Sequence, residues 1–270
     1  MFLTMKKITL LITLLGLLKT AEAQKPLIHA HNDYEKQRPL SGAMMQKAEI
    51  IEADVFPVDG VLYVAHEKKE INKDRTLLAM YVQPIIKLFL NNGGNVSRDS
   101  SYTFALCIDI KENHAETIRL LTQLLQPYLS CFDRSANKKA VQIIISGDRG
   151  EIKNWKNYPS YIYFDGRPYE QYDEEALNRI AMISDSYQRY PSQTKLKETI
   201  EKVRSLQKPV RLWAAPDNKE GWKDLLDLGA GVINTDHPEA ARKFIDETYS
   251  DNTSKRKRKV KSARQTKHAL

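Results

Sequence analysis

Short apolar runs rich in Val and Ile recur along this chain, and longer segments whose apolar residues return every three or four positions separate them. This alternation limits the fold more than any other feature, because buried strands read as short continuous apolar runs and packed helices as 3.6-residue stripes. The strand candidates are Leu27 to His31, Ile50 to Phe56, Phe104 to Lys111, Val141 to Ser146, Tyr161 to Asp165, Ala181 to Asp185, Val210 to Ala215 and Gly231 to Thr235. Helical spacing runs over Leu77 to Leu90, Glu116 to Leu125, Lys195 to Leu206, Lys219 to Leu228 and Pro238 to Glu247. Strands that alternate with crossover helices form a parallel α/β sheet. A doubly wound sheet calls for a Gly-rich phosphate turn after its first strand, whereas here that strand ends in His29-Ala30-His31-Asn32-Asp33. Eight strands with polar carboxyl ends predict a (β/α)8 TIM barrel, in which chemistry collects at those ends.

Asp59-Gly60 lies between Ile50 to Phe56 and the alternating Val61-Leu62-Tyr63-Val64, so a turn and a returning extended segment form a small β excursion after strand two. Asn91 to Ser101 is polar and contains two glycines, and reads as a surface loop not ordered by packing.

Residues 1–23 have the three parts of a secretory signal: Lys6 and Lys7, the apolar run Ile8 to Leu18, and Ala21-Glu22-Ala23 before Gln24. The expectation is export, with the protein periplasmic or secreted after cleavage near Ala23/Gln24. Residues 24–249 form the barrel. The net charge of +8 equals the eight cations and no acids of Ser254 to Leu270, so 250–270 reads as a solvated basic tail lacking apolar periodicity. Specific nucleic-acid binding is not implied, and weak contact with an anionic surface through the tail is the sharper alternative. An oxidising compartment permits a Cys107 to Cys131 bridge, but a core this large does not demand one, and Cys107 reads as a buried thiol inside the barrel.

The candidate chemistry starts with Glu52 and Asp54, which point the same way because strand side chains alternate faces. Two carboxylates on one wall of an apolar strand raise each other's pKa unless a cation compensates them. Asp109 and Lys111 share a face near the end of the next strand. Three carboxylates with no required nitrogen or sulfur ligand suit one hard divalent cation, Mg2+ or Ca2+, with Lys111 on an anionic phosphate oxygen or in an ion pair with one of the acids. His31 closes the first strand and His66 closes the excursion, which places two imidazoles where acid-base catalysis on a bound phosphate could use them.

In order, His31, Glu52-Ala53-Asp54-Val55, Asp59-Gly60 with Val64-Ala65-His66-Glu67, Asp109-Ile110-Lys111, Trp213 and Thr235-Asp236-His237-Pro238 resemble the motifs of the glycerophosphodiester phosphodiesterases and their phospholipase-like relatives. The resemblance implies metal ligation by Glu52, Asp54 and Asp109, His31 and His66 as the acid-base pair, and attack on phosphorus by a neighbouring substrate hydroxyl to give a cyclic phosphate, either released or opened later by water. The substrate it implies is a small-molecule or lipid-headgroup phosphodiester, glycerophosphodiester or lysophospholipid in type. Where that family carries His-Arg-Gly this chain has His31-Asn32-Asp33, so Asn32 stands as a neutral donor to the substrate, and Trp213 can wall its pocket, as can Trp155 and Tyr187. His29 reads as a partner behind the first row of groups, and Asp236 as a helix-starting residue before Pro238. Two other readings fit fewer of these residues: an amidohydrolase-like metal hydrolase built on His29 and His31, and a barrel that binds a headgroup or glycan without turnover.

Overall fold

The computed structural model describes residues 25–249; the expected leader and basic tail lie outside them. Nine strands form one sheet: β1 Leu27–Ala30, β2 Ile50–Val58, β3 Val61–Val64, β4 Ala105–Ile110, β5 Gln142–Gly147, β6 Ile162–Gly166, β7 Ile180–Ser186, β8 Val210–Trp213 and β9 Val232–Thr235. Eight of them pair in parallel, and contact between β1 and both β9 and β2 closes the ring. The chain therefore folds as a TIM barrel. β3 stays outside the ring, antiparallel to the extension of β2, in the register Val55 to Val64 and Val58 to Val61. The hairpin turn is Asp59 (φ 49°) and Gly60 (φ 77°), the doubly left-handed pair that a two-residue turn between twisted strands requires.

The helices are α1 Ser41–Met45, α2 Gln83–Asn91, α3 His114–Leu125, α4 Leu129–Phe132, α5 Glu174–Asn178, α6 Gln193–Ser205 and α7 Lys219–Leu228, and the described chain ends in a helix over 238–249. α3 shows the local logic. The Asn113 side chain accepts from Glu116 N at its start, and Ile118, Leu121 and Leu125 recur on the face it buries. Each such side chain contributes about 1.5–3 kcal/mol of burial, and Leu121→Ala would cost about 2–5 kcal/mol.

Two expectations change in detail. The single helix expected over Leu77 to Leu90 opens with a π-helical turn, Leu78–Val82. Pro84 at the start of α2 has no N–H for the regular ladder, and the wider turn accommodates it. The segment Asn91 to Ser101 is tied down by packing after all, since Val96 is buried in the core and Gly94 O accepts from Asn137.

Outward strand residues such as Ile51, Val55, Leu106, Ile108, Ile143 and Ile145 form the main core under the helices. Inside the ring, Ile50, Ala105, Cys107, Ile144, Met182 and Val232 make a smaller apolar plug. Strand alternation stacks polar residues above that plug, toward the carboxyl ends: first Glu52, Ser146, Asp165, Ser184 and Arg211, then Asp54 and Asp109.

Candidate active site

β2 and β4 pair with Glu52 opposite Cys107 and Asp54 opposite Asp109, so all four side chains face the interior. Each carboxylate has a distinct environment. Glu52 Oε2 accepts from His29 Nε2 at 2.7 Å and from the Arg211 guanidinium at 2.9 Å, while Oε1 lies 3.6 Å from His31 Nε2. Burial alone would raise the Glu52 pKa, but the charge of Arg211 and the His29 contact outweigh it and hold the carboxyl well below its ordinary range. The same burial, together with Arg211, lowers His29 to about 4, which keeps that imidazole neutral.

Asp54 Oδ2 accepts from Tyr34 Oη (2.8 Å), Lys111 Nζ (2.6 Å) and His66 Nδ1 (3.2 Å). Its Oδ1 is buried without a hydrogen-bond partner in the protein. Burial, and then the negative charge of Glu52, raise the Asp54 pKa to about 6 against the opposing pull of Lys111. Lys111 also lies 2.7 Å from Asp109 Oδ2. Burial would lower its pKa, yet the two carboxylates raise it to about 12.

His31 sits at the mouth with Nδ1 3.2 Å from Asp236 Oδ1. A carboxylate there fixes the Nδ1–H tautomer and leaves Nε2 as the basic nitrogen. His66 is half-exposed, and Asp54 engages its Nδ1 in the same way. His31 Nε2 thus lies near Glu52, and His66 engages Asp54, alternate acids of one strand.

The structure also redirects several residues. Lys111, expected on a phosphate oxygen, bridges Asp54 and Asp109. The side chain of Asp236 does not cap the last helix: Thr235 Oγ1 accepts from His237 N, and Asp236 turns to His31 and to Lys36. Asn32 adopts the left-handed conformation (φ 47°), and its Oδ1 lies 3.1 Å from Tyr34 Oη. Trp213, two residues beyond Arg211 on the same face, is partly exposed at the rim. Trp155 is fully buried and stacks on Phe164 at 4.1 Å, so it belongs to the core and not to a pocket wall. Both cysteines are free and buried.

Four contributors are not legible as site residues from the strand pattern alone. Arg211 is fully interior, bonded to Glu52 and Asn234 and 3.6 Å from Asp165. Asp165 Oδ2 accepts from Ser146, Ser184 and Arg167. Tyr34 links Asp54 to Asn32, and Lys36 reaches Asp236. An arginine between Val210 and Leu212, on the same face as Trp213, is the one sequence signal that marks an interior cation.

Among the described residues, the ligand atoms of His29, Glu52 and Cys107 lie within 4.8 Å of one another, and no other set of three His, Cys, Asp or Glu residues closes to that radius. That set is a poor metal centre, because Arg211 already holds Glu52 and burial pushes the Cys107 thiol far above its ordinary pKa. Glu52, Asp54 and Asp109 are more widely spaced, with the Lys111 ammonium lodged between the two aspartates. Their chemistry nevertheless fits a hard cation: all are oxygen donors, Asp54 Oδ1 is a buried acceptor with no donor, and burial followed by repulsion from Glu52 raises Asp54, a cost that a divalent ion offsets.

A closed parallel barrel with carboxylates and histidines at the carboxyl ends of its first strands defines a phosphodiesterase-like TIM barrel. The chain belongs to the AIM6-like phosphodiesterase domain family, whose profile matches residues 19–165, and the profile of the glycerophosphoryl diester phosphodiesterase family matches residues 209–239. It is 23% identical over 265 residues to the altered inheritance of mitochondria protein 6 homolog of Arthroderma benhamiae, covering 81% of this chain and 83% of that one. It is 27% identical to altered inheritance of mitochondria protein 6 of Lachancea thermotolerans over 272 residues, 78% of this chain and 63% of that one. Its fold is similar to that of a glycerophosphodiester phosphodiesterase from Parabacteroides distasonis, with a TM-score of 0.55, 15% identity, and coverage of 83% of this chain and 97% of the other.

Proposed function

We propose that this protein is a metal-dependent phosphodiesterase that cleaves a glycerophosphodiester or lysophospholipid-type substrate by histidine acid-base catalysis. The observation that carries the reading is the attachment of both imidazoles to one carboxylate wall: His31 beside Glu52, and His66 beside Asp54. His31 Nε2 and the second nitrogen of His66 are then the groups left to take a proton from the attacking hydroxyl and to give one to the leaving oxygen. Asp236 and Asp54 hold the two rings and stabilise whichever is protonated. A Mg2+ or Ca2+ ion held by Glu52, Asp54 and Asp109 would supply Lewis-acid neutralisation of the phosphate charge. Where the substrate carries a hydroxyl next to the phosphate, that hydroxyl is the nearest nucleophile and the product is a cyclic phosphate.

Export is part of the same reading. It rests on the leader-like residues 1–23.

The test is hydrolysis of a panel of glycerophosphodiesters and lysophospholipids, with products identified by 31P NMR, before and after exhaustive chelation. Activity that chelation removes and Mg2+ or Ca2+ restores supports the site. Activity that survives chelation, or that survives in His31→Ala, refutes it.

A further inference from the structure

A phosphodiester brings a negative charge to this mouth, and most of the cations nearby are already committed. Lys111 is shared between Asp54 and Asp109, and Arg211 is buried against Glu52. Arg167 is held by Asp165 and Ser184, and Arg75 donates to the Tyr34 carbonyl while lying over that ring. Withdrawing any of these would strand a carboxylate or a carbonyl. Asn32, next to His31, is neutral, and with its Oδ1 accepting from Tyr34 it can offer a phosphate only an uncharged amide N–H.

Lys36 is different. Its Nζ lies 3.1 Å from Asp236 Oδ1, the oxygen that is also 3.2 Å from His31 Nδ1, and the two side chains are 33% and 42% exposed. An ion pair that open to solvent contributes little, so an incoming anion can take the ammonium at small cost. Asp236 would not be stranded, because His31 Nδ1 still faces its carboxylate, which is also open to solvent. Lys36 also borders a groove of about 700 Å3 that passes from Asp236 to Lys243 between the loop after β1 and the last helix, so the ammonium has room to move.

The geometry points to Lys36 as the residue that binds the anionic phosphate oxygens of the substrate, exchanging Asp236 for the phosphodiester. The assignment rests on the proposed phosphodiesterase reading and adds a substrate-binding residue to it.

The experiment uses the full chain with Mg2+. Calorimetric titration with inorganic phosphate is run beside steady-state cleavage of glycerophosphocholine and lysophosphatidylcholine, diesters that carry a free glycerol hydroxyl, in wild type, K36M, K36R and K243M. Expected for K36M is a rise of about tenfold or more in both phosphate Kd and KM, one lost charge-assisted contact in free-energy terms, with kcat changed less than about twofold. K36R should recover most of the loss, and K243M should match the parent. Equal Kd and KM in K36M and wild type would overturn the assignment. So would a fall in kcat alone, which would mean that Lys36 acts through the Asp236 to His31 pair. An equal loss in K243M would also overturn it, in favour of diffuse groove charge. A parent that binds phosphate without cleaving any glycerophosphodiester or lysophospholipid of the panel refutes the catalytic reading and leaves Kd to decide Lys36. A parent that does neither refutes both.

Discussion

The guanidinium of Arg211 donates across the barrel to Glu52 Oε2 at 2.9 Å, and both side chains are 5% exposed. The pair joins β8 to β2 through the barrel interior, and His29 donates to the same oxygen. Removing one partner of a buried pair leaves an uncompensated charge, which costs about 3–5 kcal/mol. Arg211→Met should therefore lower the unfolding free energy by about that much, read as a lower denaturation midpoint with the slope unchanged, although methionine fills a similar volume. A midpoint within error of wild type would mean that Glu52 is compensated by other groups.

Gly147 ends β5 with φ at +67°, and a methyl group built there would lie 2.3 Å from Ile110 O and 2.9 Å from Asp109 Oδ1. Gly147→Ala should thus do two things at once. The left-handed backbone costs about 1–2 kcal/mol for a residue with a Cβ, the overlap adds about 1–3 kcal/mol, and the side chain pushed aside is a candidate metal ligand. Differential scanning calorimetry should show a lower Tm, and Mg2+ affinity should fall with it. A stable variant with normal Mg2+ affinity would place Asp109 outside the cation site.

The barrel was legible because its signal is repeated: eight β-branched runs with helical segments between them, each located to within a few residues. Glu52, Asp54 and Asp109 could be set on one wall because strand parity alone decides which way they face. Long-range pairing is not encoded in that parity. Arg211 meets Glu52 from 159 positions away, and nothing local to Val210-Arg211-Leu212 names its partner. Thr-Asp-X-Pro reads as a helix start with either Asp or Thr as the cap; Thr235 Oγ1 accepts from His237 N just ahead of the helix, while the Asp236 side chain turns to His31, a partner that nothing local names. Lys111 shows the third limit. A lysine near acids on one face predicts either a phosphate contact or an ion pair, and only three-dimensional distances distinguish them.

Beyond the carboxylate wall of β2 and β4, Arg149 and Glu170 form a two-pronged ion pair at 2.7 and 3.0 Å, and Arg149 also donates to the Asp165 carbonyl, which braces the end of β6. Burial would raise the Glu170 pKa, but hydrogen bonds from Arg149 and Tyr172 outweigh it and leave the pKa below the ordinary 4.5. A depressed carboxyl binds fewer protons folded than unfolded. Its stabilisation is thus complete above pH 4.5 and is lost as pH falls through the folded-state pKa. Glu170→Gln should cost about 1.5–3 kcal/mol at pH 7, the range for hydrogen bonds to a charged group. The difference from wild type should shrink steadily below pH 4.5 in urea melts. A gap that is constant with pH would show that the carboxylate charge is not what braces the strand.

Glu52 separates the metal question from the stability question, because its two oxygens have different partners. Oε2 is taken by His29 and Arg211, whereas Oε1 faces the mouth 3.6 Å from His31 Nε2. Glu52→Gln keeps the shape and an acceptor for Arg211, which also retains Asn234 and, at 3.6 Å, Asp165. Folding should therefore survive with a loss smaller than that of Arg211→Met. A neutral amide is a far weaker partner for a hard dication than a carboxylate, so affinity for Mg2+ or Ca2+ in chelator-stripped protein should fall by on the order of 100-fold, about 2.8 kcal/mol at 1.4 kcal/mol per decade. Isothermal titration calorimetry at pH 7 reads this directly. Unchanged affinity in a folded Glu52→Gln variant would leave Glu52 as an internal counter-ion for Arg211 and move any cation upward, to Asp54 and Asp109.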